Sequence, residues 1–357
     1  MKLDIYQEEI VKSTAPHIVV VSGAGSGKTR VLTERIKWLI EQGNDPKKIV
    51  AITFTNFAAD EMRERLGDIC KEAFIGTTHS YANRLLIKNG YDTSAFIEND
   101  KFDKFFEAIE EHPEVIEEVD FLLVDEYQDV NANQISFFEM INAKNTFVVG
   151  DDWQCIFQFQ KSDPQYFKDA AADPKNTVYY LKNNYRTPRK IVKFATEFLR
   201  PITNKIKKTT SCQVEEEGIL EEVYDDLPQI VREIEKNGEF GKWFVLTRSN
   251  EQITEVMNIL QHKKIPCDTF KKGEAGHEDI QRRMKEDTVK VLTIHSAKGL
   301  ENDYVAVYRM SLGERVKEEE RFVAYVAATR ARKRLIWCYW NSGNKKKKTP
   351  QIVSWES

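Results

Sequence analysis

The sequence has few of the features that extracellular and membrane proteins share. Its 357 residues include five cysteines, an odd number, and none of them lies in a C-x-x-C pair. This usage argues against both a disulfide framework and a structural zinc site. No apolar run approaches the ~20 residues that a membrane span needs, and the first residues lack the basic and then apolar pattern of a signal peptide. We therefore expect a cytoplasmic protein without a membrane partner.

Length and charge suggest two domains of different character. At about 100–200 residues per domain, a chain of 357 residues favours two domains. The net charge of −4 conceals an asymmetry, because acidic residues predominate in residues 1–180 and basic residues in residues 181–357. A basic second half suits a polyanionic partner. An ordinary uneven surface explains the charge equally well.

The order of apolar and amphipathic segments predicts an α/β fold. In the first half, strand candidates at residues 18–21, 49–54, 121–124 and 146–149 alternate with helical patterns. A second α/β unit is expected to begin near Tyr179, with strand candidates at residues 178–181, 243–246, 289–294, 304–307 and 335–340. Alternation of this kind predicts parallel sheets covered by helices. Residues 204–218 and 270–287 are polar and are expected to be surface loops or linkers.

The most informative segment is residues 20–29 (VVSGAGSGKT), where an apolar strand runs into a glycine-rich turn. Glycines let successive backbone N–H groups converge on one anion, and the following helix adds the positive end of its dipole. Lys28 would reach the β- and γ-phosphates, and the Thr29 hydroxyl would ligate Mg²⁺. Ser22 stands where the strict pattern has glycine. A turn that binds nothing is the alternative, but the strand–loop–helix context favours nucleotide binding.

A second apolar strand, at residues 121–124 (FLLV), ends in two acids, Asp125 and Glu126. A phosphate-loop enzyme needs one carboxylate at this place to hold Mg²⁺, and Asp125 fits that role. Glu126 would orient and deprotonate the attacking water, so that Asp125 binds the metal and Glu126 acts as the general base. An acidic surface turn is the alternative interpretation.

Further motifs accompany these acids in a fixed order. They are residues 51–59 (AITFTNFAA), 77–80 (TTHS), 124–129 (VDEYQD), 149–154 (VGDDWQ), 184–187 (NYRT), 295–301 (HSAKGLE) and 325–331 (YVAATRA). This ordered series resembles the UvrD/Rep family of superfamily 1 DNA helicases over nearly the whole chain. The resemblance implies two RecA-like P-loop lobes, each with a parallel sheet flanked by helices, and an ATP cleft between them.

The resemblance also divides the chain. Residues 1–180 are expected to form the first lobe, with a small helical insertion near residues 87–118. Residues 181–345 are expected to form the second lobe, with a short polar insertion near residues 251–288, and residues 346–357 a basic, polar tail. Larger relatives carry long inserted subdomains at both places, so the chain resembles a compact member that lacks most of them.

Nucleotide-binding roles follow from the same motifs. The resemblance implies that Gln7 reads adenine, that Tyr185 stacks on the base, and that Arg30 lies near it. Glu301 matches a ribose contact. The implied nucleotide-binding set is Gln7, Ser22, Gly23, Ala24, Gly25, Ser26, Gly27, Lys28, Thr29, Arg30, Tyr185 and Glu301.

Catalytic roles are implied for residues of both lobes. Gln154 matches the γ-phosphate sensor, and Arg186 and Arg330 match two arginines that the second lobe presents to the γ-phosphate. Cations there offset the charge that develops on the transferring phosphoryl group. The implied catalytic set is Lys28, Asp125, Glu126, Gln154, Arg186 and Arg330, with Thr29 and Asp125 as ligands of Mg²⁺.

The implied partner is single-stranded DNA, including its junctions with duplex. Single strands are held by phosphate contacts and by stacking on aromatic faces. Phe54, Phe157 and Phe159 match positions that form base pockets, although core packing is a competing role for all three. The implied DNA-binding set is Phe54, Thr55, Asn56, Thr78, His79, Phe157, Phe159, Thr293 and His295.

Four residues depart from the family pattern. Trp153 replaces an acid, Cys155 a serine, Gln160 an arginine and Phe57 a common lysine. The loss of the arginine is expected to weaken contacts with bases or with the strand near Phe159. The implied nucleotide-site residues are intact.

The sequence therefore predicts an ATP-dependent single-stranded DNA translocase and 3′–5′ DNA helicase that uses ATP and Mg²⁺ and works with replication or repair proteins. The alternative is an ATP-gated single-stranded nucleic-acid binding or recruitment module with little intrinsic unwinding, which the reduced second insertion motivates. A P-loop kinase or GTPase explains neither Arg330 nor the acidic motif at residues 125–129.

Overall fold

The computed structural model describes residues 2–99, 101–270, 277–310 and 316–340. These residues form two six-stranded sheets and a short two-stranded one. None of the helices within these ranges is long and apolar enough to cross a membrane.

The first lobe is built around a parallel sheet. Its strands are β1 (His17–Val21), β2 (Ile49–Thr53), β3 (Phe74–Thr77), β4 (Phe121–Val124), β5 (Asn145–Gly150) and β6 (Thr177–Tyr180). Their spatial order is β3–β2–β4–β5–β1–β6, with every neighbouring pair parallel. Its helices are α1 (Ile5–Lys12), α2 (Lys28–Glu41), α3 (Asn56–Leu66), α4 (Thr78–Lys88), α5 (Ser94–Glu98), α6 (Lys104–Glu111), α7 (Ala132–Ile141) and α8 (Gln165–Ala172).

The expectation that residues 178–181 begin the second α/β unit is wrong. β6 pairs with β1 in the first sheet, where Ile18 lies opposite Thr177. β6 is an edge strand with two half-buried and two exposed residues. A short strand of this kind carries no pattern that tells which sheet it joins, because it has one neighbour and a weak apolar face.

The second lobe repeats the same architecture. The chain first forms a small parallel pair, β7 (Asn183–Asn184) and β8 (Ser211–Cys212). The main strands are β9 (Ile219–Tyr224), β10 (Trp243–Thr247), β11 (Cys267–Asp268), β12 (Val289–Thr293), β13 (Asn302–Val307) and β14 (Ala331–Tyr339). They are all parallel, in the order β11–β12–β10–β13–β14–β9. The helices are α9 (Arg189–Glu197), α10 (Leu227–Asn237), α11 (Asn250–His262), α12 (His277–Lys285) and α13 (Glu318–Ala328).

The two stretches expected to be insertions differ in character. α5 and α6 lie within residues 87–118, where a helical insertion is expected, and Phe105 and Phe106 of α6 are buried in the first lobe. Residues 270–287 are expected to be a surface loop or linker, but their described part contains the helix α12. The described part of residues 251–288, expected to be a short polar insertion, is built into the second lobe. It contains most of α11 together with β11 and α12, and Val256, Leu260 and Ile280 are buried in the second lobe. The segment is polar in composition because its helices are amphipathic. Their many polar residues face outward, and the few apolar residues that face the core do not stand out in the sequence.

The functional residues follow strand ends that meet at one edge of the first sheet. β1 runs into the glycine-rich loop, β4 into Asp125 and β5 into Asp151. Ligand sites in parallel sheets lie at such carboxyl ends. The two lobes also touch directly, since Ala24 and Ile156 of the first lobe share one buried apolar cluster with residues of α9 and α13. This contact closes the second lobe over the strand ends.

Candidate functional site

The glycine-rich loop joins β1 to α2. Ser22 is fully buried, and its hydroxyl donates to the Gly150 carbonyl at 2.7 Å. The serine that departs from the strict pattern therefore ties the loop to β5. Gly27 precedes α2 with a φ of +86°, a conformation that favours glycine. A side chain at Gly25 would meet Asn184 and Arg186, so only glycine permits this close approach of the lobes.

A cavity of about 870 Å³ opens in front of this loop, a size in the range of small-ligand sites. The first lobe contributes Lys28 and Glu126 to its wall, and the second lobe contributes Arg186 and Arg330. Other residues of the implied nucleotide-binding and catalytic sets that line it are Gly23, Gly25, Ser26, Gly27, Thr29, Arg30, Gln154 and Glu301. Most of the predicted set therefore converges on one space between the lobes. The implied residues that do not line it are Gln7, Ser22, Ala24, Tyr185 and Asp125.

The two acids after β4 differ in their electrostatics. A Glu126 carboxylate oxygen lies 3.8 Å from Lys28 Nζ, and the other accepts from Gln128 Nε2 at 2.5 Å. Burial opposes ionisation of Glu126, but Lys28 and Lys298 outweigh it and lower its pKa. Burial and the neighbouring Glu126 raise the pKa of Asp125. Glu126 is thus held ionised, as a base must be, while Asp125 needs a cation to stabilise its charge.

Gln154 joins residues of both lobes. Its Nε2 donates to Asp151 Oδ2 at 2.5 Å, and its Oε1 accepts from Arg330 Nη2 at 3.0 Å. Arg330 is buried, and its Nε also donates to the Val326 carbonyl at 2.9 Å. Arg186 forms an ion pair with the Glu301 carboxylate. The implied sensor and both implied arginines are therefore held in place by named partners.

The implied base-binding residues lie beside α1. Gln7 is buried; its Nε2 donates to the Ser26 carbonyl at 3.1 Å, and its Oε1 accepts from the Asp4 amide at 3.3 Å. Tyr185 is 41% exposed, and its amide donates to the Gly25 carbonyl at 2.9 Å. The Tyr185 hydroxyl bonds to the Asp4 carboxylate. Gln7 thus stabilises the glycine-rich loop, whereas the ring of Tyr185 is accessible to solvent.

Four aromatic residues form a cluster across the cleft: Phe54, Phe157 and Phe159 of the first lobe and His295 of the second. Phe54 and Phe157 stack with ring centroids 4.8 Å apart, and Phe159 and His295 meet edge to face at 5.4 Å. We call these four residues the aromatic cluster. Phe159 is 63% exposed, so core packing does not account for it.

The aromatic cluster adjoins the catalytic acids. All four of its residues line a cavity of about 350 Å³ whose wall also includes Thr29, Asp125 and Glu126. Thr55 lines this cavity too and caps α3, where its hydroxyl accepts from the Ala58 amide at 3.2 Å. Asn56 is exposed at the first position of α3. The implied nucleotide site and the implied DNA site therefore share a wall, which includes Thr29 and Glu126.

The other implied DNA contacts are less open. Thr78 is only 3% exposed, and its hydroxyl accepts from Gln134 Nε2 at 3.3 Å. His79 packs beside Phe106 with ring centroids 5.1 Å apart, and burial lowers its pKa. The Thr293 hydroxyl donates to that of Ser296 at 2.9 Å. Of these three, only His79 joins Phe159 in the wall of a further cavity, of about 580 Å³.

Two domain families match nearly the whole chain. Residues 3–117 and 104–175 match the UvrD/REP helicase N-terminal domain, and residues 179–275 and 272–342 match the UvrD-like helicase C-terminal domain. The chain belongs to the UvrD/Rep helicase family. The paired parallel sheets agree with the two RecA-like lobes expected of that family.

Similar proteins include three bacterial relatives. "ATP-dependent DNA helicase PcrA" of Staphylococcus aureus is 26% identical over 361 residues, which cover 73% of this chain and 50% of the relative. "DNA helicase II" of Haemophilus influenzae is 27% identical over 363 residues, with the same shares. "Probable DNA helicase II homolog" of Mycoplasma capricolum is 25% identical over 386 residues, covering 78% of this chain and 53% of the relative. The chain spans about half the length of these curated relatives.

Among the residues that the UvrD/Rep motifs did not single out, Asp4 and Lys298 stand out. Asp4 forms a capping box with Gln7 and also accepts a hydrogen bond from the Tyr185 hydroxyl. The D-x-x-Q spacing at the start of a helix is typical of a capping box, so the sequence alone could have indicated this role of Asp4. Lys298 is buried, pairs with Asp129 and donates to the Gln154 carbonyl at 2.7 Å. Lys298 lies within the family motif at residues 295–301, but no pattern in the sequence indicates that it pairs with Asp129.

Proposed function

We propose that this chain is an ATP-dependent motor that moves along single-stranded DNA in the 3′–5′ direction and unwinds duplex DNA. The observation that carries the proposal is the shared cavity, whose wall combines Lys28 and Glu126 of one lobe with Arg186 and Arg330 of the other. A site completed from both sides requires the cleft to be closed. ATP hydrolysis removes the γ-phosphate that the two lobes hold in common, which allows the cleft to open.

In the proposed reaction, each polar group has one task. Lys28 and the backbone N–H groups of the glycine-rich loop bind the phosphates, and Glu126 accepts the proton of the attacking water. Arg186 and Arg330 stabilise the charge that develops on the γ-phosphoryl group. Thr29 and Asp125 line one cavity, and the buried Asp125 carboxyl with its raised pKa fits a cation ligand. Mg²⁺ bound there would neutralise charge on the phosphate oxygens.

The proposed coupling to DNA rests on the wall that the two sites share. The aromatic cluster contains residues of both lobes, so a base stacked there would be displaced when the lobes move apart. Stacking is insensitive to base identity, as a motor on any sequence requires. Single strands and their junctions with duplex are the proposed substrates, and replication or repair proteins in the cytoplasm are the proposed partners.

The test is ATP turnover measured in parallel with single-stranded DNA, duplex DNA and RNA, followed by displacement of a strand from 3′-tailed and 5′-tailed duplexes. We expect stimulation by single-stranded DNA, unwinding of the 3′-tailed substrate, and loss of turnover in Lys28→Ala. DNA-independent turnover, or unwinding from the 5′ tail, would contradict the proposal.

One observation favours a second candidate. The described elements between β10 and β12 are only α11, β11 and α12, where larger relatives are expected to carry an inserted subdomain. This supports an ATP-gated single-stranded nucleic-acid binding or recruitment module with little unwinding of its own. DNA-stimulated turnover and translocation without strand displacement, restored by a partner protein, would favour it.

A further inference from the structure

A segment of the second half of the chain lies against the first lobe. Residues 202–213, here called the strap, lie beyond α9 in the chain and include β8. The Ile206 side chain packs on the buried apolar cluster of the first lobe. Its amide donates to Asp152 Oδ2 at 2.8 Å, and its carbonyl accepts from Trp153 Nε1 at 3.2 Å. The strap is therefore fixed to the turn that carries Gln154, although its polar composition predicted a surface loop.

Lys208 is the charged anchor of the strap. Its Nζ pairs with Asp151 and lies 2.8 Å from Asp152 Oδ1. The Lys208 side chain is only 4% exposed, and both carboxylates are fully buried. Nζ also lies 4.5 Å from the centre of the Trp153 ring. Adjacent buried carboxylates need a nearby cation, since the interior solvates them poorly.

The Asp151 carboxylate connects Lys208 to Gln154. One of its oxygens pairs with Lys208, and the other accepts from Gln154 Nε2 at 2.5 Å. This bond fixes the Gln154 amide so that Oε1 points to Arg330 at 3.0 Å. The Asp151 amide in turn donates to Gln128 Oε1 at 2.8 Å. Lys208, Asp151, Gln154 and Arg330 thus form a continuous chain of contacts from the strap to the nucleotide cavity.

We propose that Lys208 is a positioning residue for the reaction: by holding Asp151, it fixes the orientation of Gln154, which senses the γ-phosphate. The inference rests on the proposed ATPase function. Lys208 itself is not among the residues that line the nucleotide cavity, so it acts on catalysis and not on ATP affinity. Nothing in the sequence spacing links it to Gln154, from which it is separated by 54 positions.

The first measurement compares Lys208→Met with Lys207→Met in DNA-stimulated ATP turnover. Lys207 is the neighbouring exposed lysine of the strap and serves as the matched control. We expect kcat to fall at least about tenfold in Lys208→Met, with the KM for ATP changed less than about threefold, and both to remain at wild-type values in Lys207→Met. A folded Lys208→Met with the kcat of Lys207→Met would overturn the inference, as would a rise in KM alone.

A double-mutant cycle separates positioning from general damage. If Lys208 acts through Gln154, Lys208→Met should lower the residual turnover of Gln154→Ala by less than about twofold. A merely structural lysine would lower turnover by the same factor in both backgrounds, which would overturn the inference.

Removal of one member of a buried ion pair can prevent folding. In that case the cycle is run with the charge-balanced variant Lys208→Met/Asp152→Asn, compared with Asp152→Asn and monitored by circular dichroism and thermal unfolding. The same non-additivity with Gln154→Ala is expected, and full additivity overturns the inference. If the wild-type chain itself does not hydrolyse ATP, the proposed function fails instead, so the two failures are distinguishable.

Discussion

The two sides of the cleft are held together by different interactions. We name them after their proposed ligands: the nucleotide side is the cavity in front of the glycine-rich loop, and the strand side is the aromatic cluster, where single-stranded DNA is proposed to bind. On the nucleotide side, polar groups bond to one another, as in the series Arg330–Gln154–Asp151. On the strand side, the aromatic cluster relies on ring contacts, and Phe159 is mostly exposed. Fixed dipoles stabilise a transition state without reorganising, whereas stacked rings can exchange partners without losing a hydrogen bond. Substitutions on the nucleotide side should therefore cause steep losses of ATP turnover, and substitutions on the strand side should cause graded losses of affinity for single-stranded DNA.

The largest effect should come from Glu126→Gln. The amide keeps the shape of the side chain but cannot accept the proton of water, so we expect kcat for ATP to fall by about 10³-fold, within the range for a general base. ATP binding, followed with a fluorescent analogue, should persist. Glu139→Gln, an exposed acid on α7, is the control and should behave as wild type. A turnover within tenfold of wild type would remove Glu126 from the catalytic set.

Arg186→Ala should lower kcat by about 10²-fold, because it removes one cation from the second-lobe side of the cavity. The side chain is partly exposed and paired with Glu301, so the free energy of unfolding should change little. Arg189→Ala, an exposed arginine at the start of α9, controls for loss of charge. If Arg186→Ala changed only the KM for ATP, the arginine would bind the ground state and not the transition state.

The nucleotide side was the more predictable of the two from sequence. Lys28, Thr29 and Glu126 follow strand ends, and a strand end fixes where the next few side chains lie. Arg330 could be placed only through the family motifs, since no local pattern tells that it meets Gln154, 176 positions away. No sequence pattern identifies Lys208 either, because its partners lie in another lobe and the polar composition of its own segment predicts a surface loop.

The remaining differences have similar physical causes. β3 has only two apolar residues before Gly76 and Thr77, and β11 has two residues in all, so neither contains an apolar run long enough to be recognised. β9 carries Glu221 and Glu222 between its apolar residues, because it forms a half-exposed sheet edge. Thr78 matched a family position, yet its burial depends on how α4 packs against Gln134 of α7. Pairing and burial of this kind are properties of the tertiary structure.

On the strand side, Phe159→Ala should weaken binding of single-stranded DNA by about tenfold, the lower part of the range for loss of one stacked base. Because the ring is exposed, the free energy of unfolding should change by less than about 0.5 kcal/mol. ATP turnover extrapolated to saturating DNA should stay near wild type. Tyr224→Ala, an exposed aromatic on β9, is the matched control. Equal DNA affinity in the two variants would show that Phe159 does not stack on bases.

The smallest effect concerns the charge of His295. Burial, with a contribution from Arg248, lowers the pKa of His295 to about 4. An imidazole with a lowered pKa is protonated only below that value, so His295 is neutral between about pH 6 and about pH 8. Within the described residues, its Nε2 is buried without a hydrogen-bond partner, so no carboxylate bonds to that nitrogen and stabilises a charged ring.

We therefore expect the ratio of the Kd values of His295→Asn and wild type for single-stranded DNA to change less than about twofold over this pH range. A cationic contact with an ordinary histidine pKa would instead lose strength as the pH rises through about 6.5, and the ratio would fall. Fluorescence anisotropy at constant ionic strength measures the ratio, since phosphate contacts depend on salt. A falling ratio would mean that the ring is more open to solvent than the aromatic cluster allows, and it would weaken the contrast between the two sides of the cleft.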